Sequence, residues 1–378
     1  MKNLSRRSFL QNLSMGVGTT AIAVTLPSFI NISRAKPTNY DGKKLNIALC
    51  GLGVYANILA HGLESSQYCR IAGIVTGTPT KAAEWEKRYA IPKRNIYNYQ
   101  NFDEIKNNKD IDVVYVVLPN SMHKEFVIKA AKAGKHVIVE KPMAITVNDC
   151  QAMIDACKNA NVQLAVGYRL HTEPTHLEIK RLGQEKVFGK VRLLEASLGY
   201  KSTDPTHWHL KKAISGGGPL MDIGIYCVQS SRYVLGEEPI SATAQFGPVT
   251  DTNLFSEVEE SITWQLEFPG GAVCNSSNSF NCSIDRFFAS ADNGFFELSP
   301  GLGYGPYKGT TSKGELKFPV INQQATECDE IAKVLLENKI LPSHITGAEG
   351  IKDIRILQGI YEAARTGKKI SLINLKGS

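Results

Sequence analysis

The chain has 378 residues, too many for one small domain and comfortable for two. Its 43% hydrophobic and 21% charged content is that of an ordinary globular protein. The formal charge is +7, but the first 35 residues hold Lys2, Arg6, Arg7 and Arg34 and no acid; the remaining +3 is too mild to argue for nucleic acid or an anionic membrane surface as partner.

Residues 1–35 read as a targeting peptide. Ser5-Arg6-Arg7-Ser8-Phe9-Leu10-Gln11 is a twin-arginine pattern ahead of a modest apolar region, and Ser33-Arg34-Ala35 supplies a small-residue cleavage site. Thr19, Thr20, Thr25, Pro27 and Ser28 dilute the apolar run, which is short for a bilayer span. The expectation is a soluble protein exported to the periplasm, with no stable membrane insertion. The eight cysteines show no metal or redox spacing and read as buried free thiols, so no metal site is expected. A twin-arginine substrate crosses the membrane already folded, which suits a protein that acquires a cofactor in the cytoplasm.

Residues 36–44 are a polar lead-in. At Leu45 an apolar run begins, LNIALC, and it ends in Gly51-Leu52-Gly53-Val54-Tyr55-Ala56. A buried strand entering a helix through GxGxxA is the pattern of a dinucleotide site. Gly51 allows the tight turn, Gly53 lets a pyrophosphate approach the backbone, and Ala56 keeps the helix close to the strand. The helix N-terminus offers free N–H groups and a positive dipole end. A glycine-rich turn of some other α/β fold is the alternative reading.

Strands follow at 70–75, 113–118, 137–139 and 163–166, with helices at about 124–133 and 147–160. Strands alternating with helices imply a parallel sheet, so 45–168 is read as a Rossmann dinucleotide-binding domain. NAD-binding sheets carry an acid near the end of the second strand. Here that region is Val75-Thr76-Gly77-Thr78-Pro79-Thr80-Lys81, with no carboxylate before Glu84. Hydroxyls and one lysine suit a 2′-phosphate, so NADP is expected over NAD, with Thr76 and Lys81 as contacts. Lys81 as a solvated lysine at a helix start is the alternative.

Leu118-Pro119-Asn120 and Glu140-Lys141-Pro142 both lie just past the C-terminal ends of parallel strands, where open α/β sheets bind ligands. Taken alone, Lys141 could equally be a surface lysine. Beyond residue 168 the strands at 191–197, 241–246, 257–268, 272–279 and 287–291 follow one another with few helices between them. That predicts a C-terminal α+β domain over 169–378 with a large, mainly antiparallel sheet. Helices are expected at 173–186, 220–235, 324–338 and 347–366, the last with Ile351, Ile354, Leu357 and Ile360 or Tyr361 on a core stripe. Loops at 201–215 and 281–286 are expected to shape a pocket.

Trp208, His209 and the run Gly216-Gly217-Gly218-Pro219-Leu220-Met221-Asp222-Ile223-Gly224-Ile225-Tyr226 form a second cluster. Asp222 and Tyr226 are four positions apart, which puts both on one face of a helix. An acid, a tyrosine and a lysine beside a nicotinamide would suit hydride transfer. Oxidising an alcohol needs a base for its proton, and a tyrosine serves when a neighbouring ammonium stabilises its charged form. From spacing alone, Asp222 as a capping or salt-bridging residue and Tyr226 as a core residue stay open.

Taken together, GLGVYA, VTGTPTKA, VVLPNSMH, AGKHVIVEKPMA, VGYRLH, GGGPLMDIGIY and IYEAARTGK resemble the Gfo/Idh/MocA oxidoreductase family, and within it the glucose–fructose oxidoreductase group. The resemblance runs from about Leu45 to Lys369. It implies that Lys141 of the EKP motif is catalytic, that Asp222 helps hold a sugar, and that Tyr226 transfers the proton. It places Gly51, Gly53, Tyr55, Thr76, Lys81, Leu118, Pro119, Asn120, His123, Glu140 and Arg169 around the cofactor, and Trp208 and His209 with the sugar. Two departures stand out. Only Lys36–Lys44 occupies the place of that group's long proline-rich arm, and His209 stands where the group has arginine.

The function expected from this reading is an exported, NADP-containing sugar oxidoreductase. An aldose would be oxidised to a lactone, with the cofactor retained and reoxidised by a second sugar. A dehydrogenase with exchangeable NADP, an exported NAD-dependent glycosidase of the same fold, and a non-catalytic nucleotide-sensing binding partner are the rival expectations. A homo-oligomer, dimer or tetramer, is expected.

Overall fold

The structure, a computed structural model, describes residues 42–373. The twin-arginine leader and most of the lead-in fall outside them. Among the described residues no helix is long and apolar enough to cross a membrane.

The first sheet has six strands: β1 (Leu45–Cys50), β2 (Cys69–Val75), β3 (Ile96–Tyr97), β4 (Val113–Val116), β5 (His136–Glu140) and β6 (Leu164–Gly167). They pair in parallel in the order β3-β2-β1-β4-β5-β6. All six residues of β1 and all four of β4 are buried, because helices cover both faces of a parallel sheet. Those helices include α1 (Val54–Leu63), α2 (Pro79–Tyr89), α3 (Asn120–Lys132) and α4 (Val147–Asn159).

The second sheet has nine strands, with β7 (Val191–Lys201) near its middle. It continues through β8 (Ser241–Phe246), β9 (Ser261–Glu267), β10 (Val273–Ser279), β11 (Asn281–Ala291), β12 (Gly294–Leu298), β13 (Gly309–Thr311), β14 (Gly314–Leu316) and β15 (Ile370–Ser371). Its pairs are antiparallel except β7 with β10, which run parallel. Residues 281–286, expected as a loop, are part of β11. They pair with Lys201 to Ser197 through an irregular register between Asn281 and Ile284.

Helices α5 (Pro174–Gln184), α6 (Ile225–Leu235), α7 (Gln323–Leu336) and α8 (Gly347–Thr366) complete the fold. In α8, Ile354, Leu357 and Ile360 are fully buried as the periodicity predicts. Helix α7 comes late in the chain but packs against the first sheet's layer: Cys328, Ile331, Ala332 and Leu335 share a core with Leu49, Leu59 and Tyr115. Asp329 fixes it there by accepting from the Tyr68 N–H at 3.0 Å. The eight cysteines are unpaired, and all but Cys282 are buried.

Candidate active site

The order of the first sheet reverses between β1 and β4, and the crevice beyond their C-terminal ends is where such sheets take ligands. Gly51 turns the chain there with φ +101°, and a Cβ would stand 2.5 Å from the Val117 carbonyl oxygen. Backbone geometry therefore demands glycine. Gly53 differs, because no atom lies within 4 Å of the place its Cβ would take. It precedes α1, whose first turn holds no acid and whose N-terminus has no side-chain cap. An open cradle at an uncapped helix N-terminus is the shape and charge a dinucleotide pyrophosphate needs. Ala56 is fully buried against the sheet, as its part in the motif requires.

Around this cradle the expected cofactor contacts divide into two kinds. Thr76 follows β2 with its Oγ1 accepting from the Thr78 N–H at 3.2 Å, and its hydroxyl proton remains to be donated. Lys81 reaches back from α2, so that its Nζ donates to the Leu52 carbonyl at 2.9 Å and its charge lies beside the glycine turn. Leu118 and Pro119 form the turn from β4 into α3 on the other side of the crevice. Tyr55 lies in the first turn of α1, near Glu140; burial, then the Glu140 charge, holds its hydroxyl well above the usual range.

Other residues expected around the cofactor also make hydrogen bonds within the protein itself. Asn120 donates its amide to the Ser215 carbonyl at 2.8 Å, tying the crevice to the second sheet's region. His123 is buried with Nε2 2.7 Å from the Leu118 carbonyl oxygen and Nδ1 3.1 Å from that of Pro142. It staples together the chain segments after β4 and β5. Arg169, 3% exposed, donates from Nε to Tyr226 Oη at 3.2 Å. Its Nη1 donates to Gly303 O, Tyr307 Oη and Gln323 Oε1, and its Nη2 to Leu302 O. Arg169 is thus a positioning residue for Tyr226.

The structure brings Lys141, Asp222 and Tyr226 together. Asp222 lies in a wide turn, Leu220–Gly224, of the π-helical kind, which runs directly into α6 and Tyr226. Such turns widen the step between successive side chains and recur at functional sites. The turn's cap is remote in sequence: Glu259 accepts from the N–H groups of Gly218 at 3.0 Å and Leu220 at 3.2 Å. Lys141 Nζ donates to the Asp222 carbonyl oxygen at 2.8 Å and to Oδ1 at 3.3 Å, and lies 4.8 Å from the Tyr226 ring centre. Tyr200 donates to Asp222 Oδ2 at 3.2 Å, and His209 Nε2 stands 3.6 Å from Oδ1. His209 in turn packs on Trp208, ring centres 3.7 Å apart, and on His207 at 4.6 Å. Tyr200, His207, Tyr307 and Gln323 carry no motif that would have marked them.

The charges are tuned by this packing. Burial pushes the Asp222 carboxyl up, but His209, Lys141 and Tyr200 outweigh it, so its pKa lies below the usual carboxylate range. Burial opposes the Lys141 charge, yet its anionic and phenolic neighbours hold its pKa above the ordinary lysine range. Glu140 is the reverse case. Burial pushes it up to about 7 although Tyr115 donates to Oε1 at 2.6 Å. Glu327 on α7 lies in its field, buried with neither carboxyl oxygen hydrogen-bonded among the described residues, and burial with the Glu140 charge raises it well above the carboxylate range. Near neutral pH Glu140 is therefore partly protonated, and Glu327 beside it is held toward its protonated form.

The family model described as an oxidoreductase family with an NAD-binding Rossmann fold matches residues 45–168, and that of a GFO/IDH/MocA C-terminal domain matches 176–296. The crystal structure of an aldose-aldose oxidoreductase from Caulobacter crescentus, complexed with glycerol, superposes with a TM-score of 0.84 at 37% identity, over 87% of this chain and 100% of that one. The chain belongs to the Gfo/Idh/MocA oxidoreductase family. A second relative in sequence, D-xylose 1-dehydrogenase (NADP(+)) of Haloarcula marismortui, is 27% identical over 349 residues, 87% of this chain and 93% of its own. A levoglucosan dehydrogenase solved with NADH and levoglucosan shares the fold, with a TM-score of 0.75 at 21% identity over 87% of this chain and 99% of that one. As a Gfo/Idh/MocA protein, the chain joins an NAD(P)-binding Rossmann sheet to a large, mostly antiparallel sheet, and Lys141 of its EKP motif faces Asp222 and Tyr226 across the join.

Proposed function

We propose that the protein is an exported sugar oxidoreductase that carries tightly bound NADP, oxidises an aldose to a lactone and is returned to its starting state by a second sugar. The observation that carries this reading is the convergence of Lys141, Asp222 and Tyr226 at the dinucleotide crevice. NADP, when bound at the Gly51–Ala56 turn, supplies the hydride acceptor for the anomeric carbon. Tyr226 takes the anomeric hydroxyl proton as the hydride leaves, with the Lys141 and Arg169 cations placed beside its ring and hydroxyl. Asp222, kept ionised by His209, Lys141 and Tyr200, accepts hydrogen bonds from sugar hydroxyls, while Trp208 and His209 form an aromatic wall.

The choice of NADP rests on the acid-free end of β2 and on Lys81 beside the glycine turn. The similarity to the NADP(+)-named xylose dehydrogenase favours the same choice. Retention follows from export by the twin-arginine route, because a periplasm holds no usual pool of free NADP. The relative named for two aldoses makes a second sugar as hydride acceptor a natural extension. A homo-oligomer remains part of the reading, to be checked by light scattering.

The test uses purified, extensively dialysed mature protein. Any released nucleotide is identified by mass after denaturation, with and without prior glucose. Stoichiometric NADP that glucose reduces and a second sugar such as fructose reoxidises is the expected result. Empty protein would favour a dehydrogenase with exchangeable cofactor, and bound NAD would bring the glycosidase reading forward.

A further inference from the structure

A cavity of about 870 Å³ opens on the far side of the segments that carry the reactive residues. Its walls are the chain after Lys141 at residues 145–147, the glycines Gly216 and Gly217 ahead of Asp222, the chain after β8, and the exposed part of α8. Its volume is that of a small-molecule site, and Lys141, Asp222 and Tyr226 do not line it. Ile145, Val147, Met221, Phe246, Val249 and Val258 make most of its surface apolar.

The charged groups around it can be paired off. Glu259 accepts from two backbone N–H groups and from the Tyr361 hydroxyl at 2.7 Å. Glu257 takes Lys211 at 3.1 Å, and Glu362 takes Arg365 at 2.6 Å. Arg355 is left over. It lines the cavity from α8, its Nε is shut off from solvent without a hydrogen-bond partner, and among the described residues its guanidinium makes no ion pair. The ammonium of Lys212, also on the wall, has no ion pair among the described residues either. Arg355 is only partly buried, and its unpaired guanidinium on the wall of a cavity of ligand size is a donor group open to an acceptor from outside.

We infer that this cavity binds an amphipathic organic monocarboxylate, its carboxylate on Arg355 and its apolar body on the six hydrophobic side chains. A guanidinium fork matches a carboxylate in plane. Glu257, Glu259 and Glu362 on the same walls would repel a doubly charged phosphate, and a neutral sugar would leave the apolar surface unmatched. An occupant would touch the chain leading to Asp222 without touching Asp222 itself.

Calorimetric titration of the full-length protein with octanoate, octanol and octyl phosphate tests this. Octanoate is expected to bind about tenfold or more tighter than octanol, with octyl phosphate weaker than octanoate. Arg355→Gln should erase the advantage of octanoate and leave octanol binding unchanged. Because Arg355 has no protein partner to lose, that variant should melt at the wild-type temperature and keep its basal turnover. Val249→Asp, at a half-exposed wall position, gives an independent check by repelling the carboxylate. Equal affinity for octanoate and octanol in the wild type would overturn the inference. So would undiminished octanoate binding in both variants, or tighter binding of octyl phosphate.

Discussion

The two parts of the site are built on different rules. On the first sheet, Gly51, Leu118 and Lys141 each follow the C-terminal end of a parallel strand, so topology alone brings them to one crevice. On the second, Tyr200, His209, Asp222 and Tyr226 come from a strand end, a turn, a wide helical turn and a helix laid against a mostly antiparallel sheet. In the proposed reading the parallel edge holds the nucleotide by backbone geometry and the other part supplies side-chain chemistry; the residues of that other part are positioned one by one through long-range hydrogen bonds. Arg169 is the hinge between the two: it follows β6 of the first sheet, yet its guanidinium is bound to Tyr226 and to residues 302–323.

The largest effect expected from this division is on turnover. Tyr226→Phe removes the proposed proton acceptor and should lower kcat by about 10²- to 10⁴-fold while nucleotide affinity, measured by fluorescence titration, stays at the wild-type value. Lys141→Ala should fall in the same range, and the double variant should be little worse than either single one, because groups that act as a unit are not additive. Near-normal rates for Tyr226→Phe would place the chemistry on the parallel edge alone.

The two glycines sharpen the division within the parallel edge. Gly51→Ala meets the Val117 carbonyl and an unfavourable positive φ, so urea melts should show a loss of roughly 2–4 kcal/mol. Gly53→Val finds open space and should melt normally, yet lose nucleotide affinity about tenfold or more. If both variants only unfold the protein, Gly53 is a folding glycine like its neighbour and the cradle has no ligand role.

The same division explains what the sequence made legible. The crevice residues stand next to strand ends within one alternating pattern, so Gly51, Lys141 and the strand order could be read locally. Asp222 and Tyr226 were legible because they share one helical stretch, although the wide turn at 220–224 was not foreseen. Their supports were not. Gln323 lies 154 positions from Arg169, and Glu259 41 from the Gly218 N–H it caps. No local pattern encodes such pairs, because only the packing of α7 and the second sheet brings them together. Residues 281–286 were misread as a loop for a related reason. Four of these residues, including Asp285 and Arg286, are polar or charged and hide the alternation of a strand that pairing with β7 imposes.

Glu140 offers a smaller effect with a definite sign. Its folded pKa, near 7, is above the ordinary glutamate value, so the native state holds a proton that the unfolded chain releases. The stability this contributes is complete below pH 4.5 and is lost as pH rises toward 7, by at most about 3 kcal/mol. Glu140→Gln keeps an acceptor for Tyr115 but has nothing to ionise. The melting temperature of the nucleotide-free variant minus that of the wild type should therefore grow between pH 5 and pH 8. Glu327→Gln should act in the same direction, since Glu327 is raised by burial and by the Glu140 charge. For either variant, a difference that stays constant with pH would mean that the acid it replaces is not held protonated in the fold.

The smallest effect concerns which nucleotide the parallel edge selects. Thr76 follows β2 with its hydroxyl in a turn to Thr78, and an aspartate there can accept the same N–H. The fold should therefore tolerate Thr76→Asp. Its carboxylate would repel an adenosine 2′-phosphate but accept from an unmodified ribose hydroxyl, so the ratio of NADP to NAD affinity should fall about tenfold or more. Lys81→Ala should lower the same ratio by less, because that ammonium is already engaged with the Leu52 carbonyl. Equal losses for both nucleotides in Thr76→Asp would show that the end of β2 contributes shape rather than charge, and would move nucleotide choice away from the parallel edge.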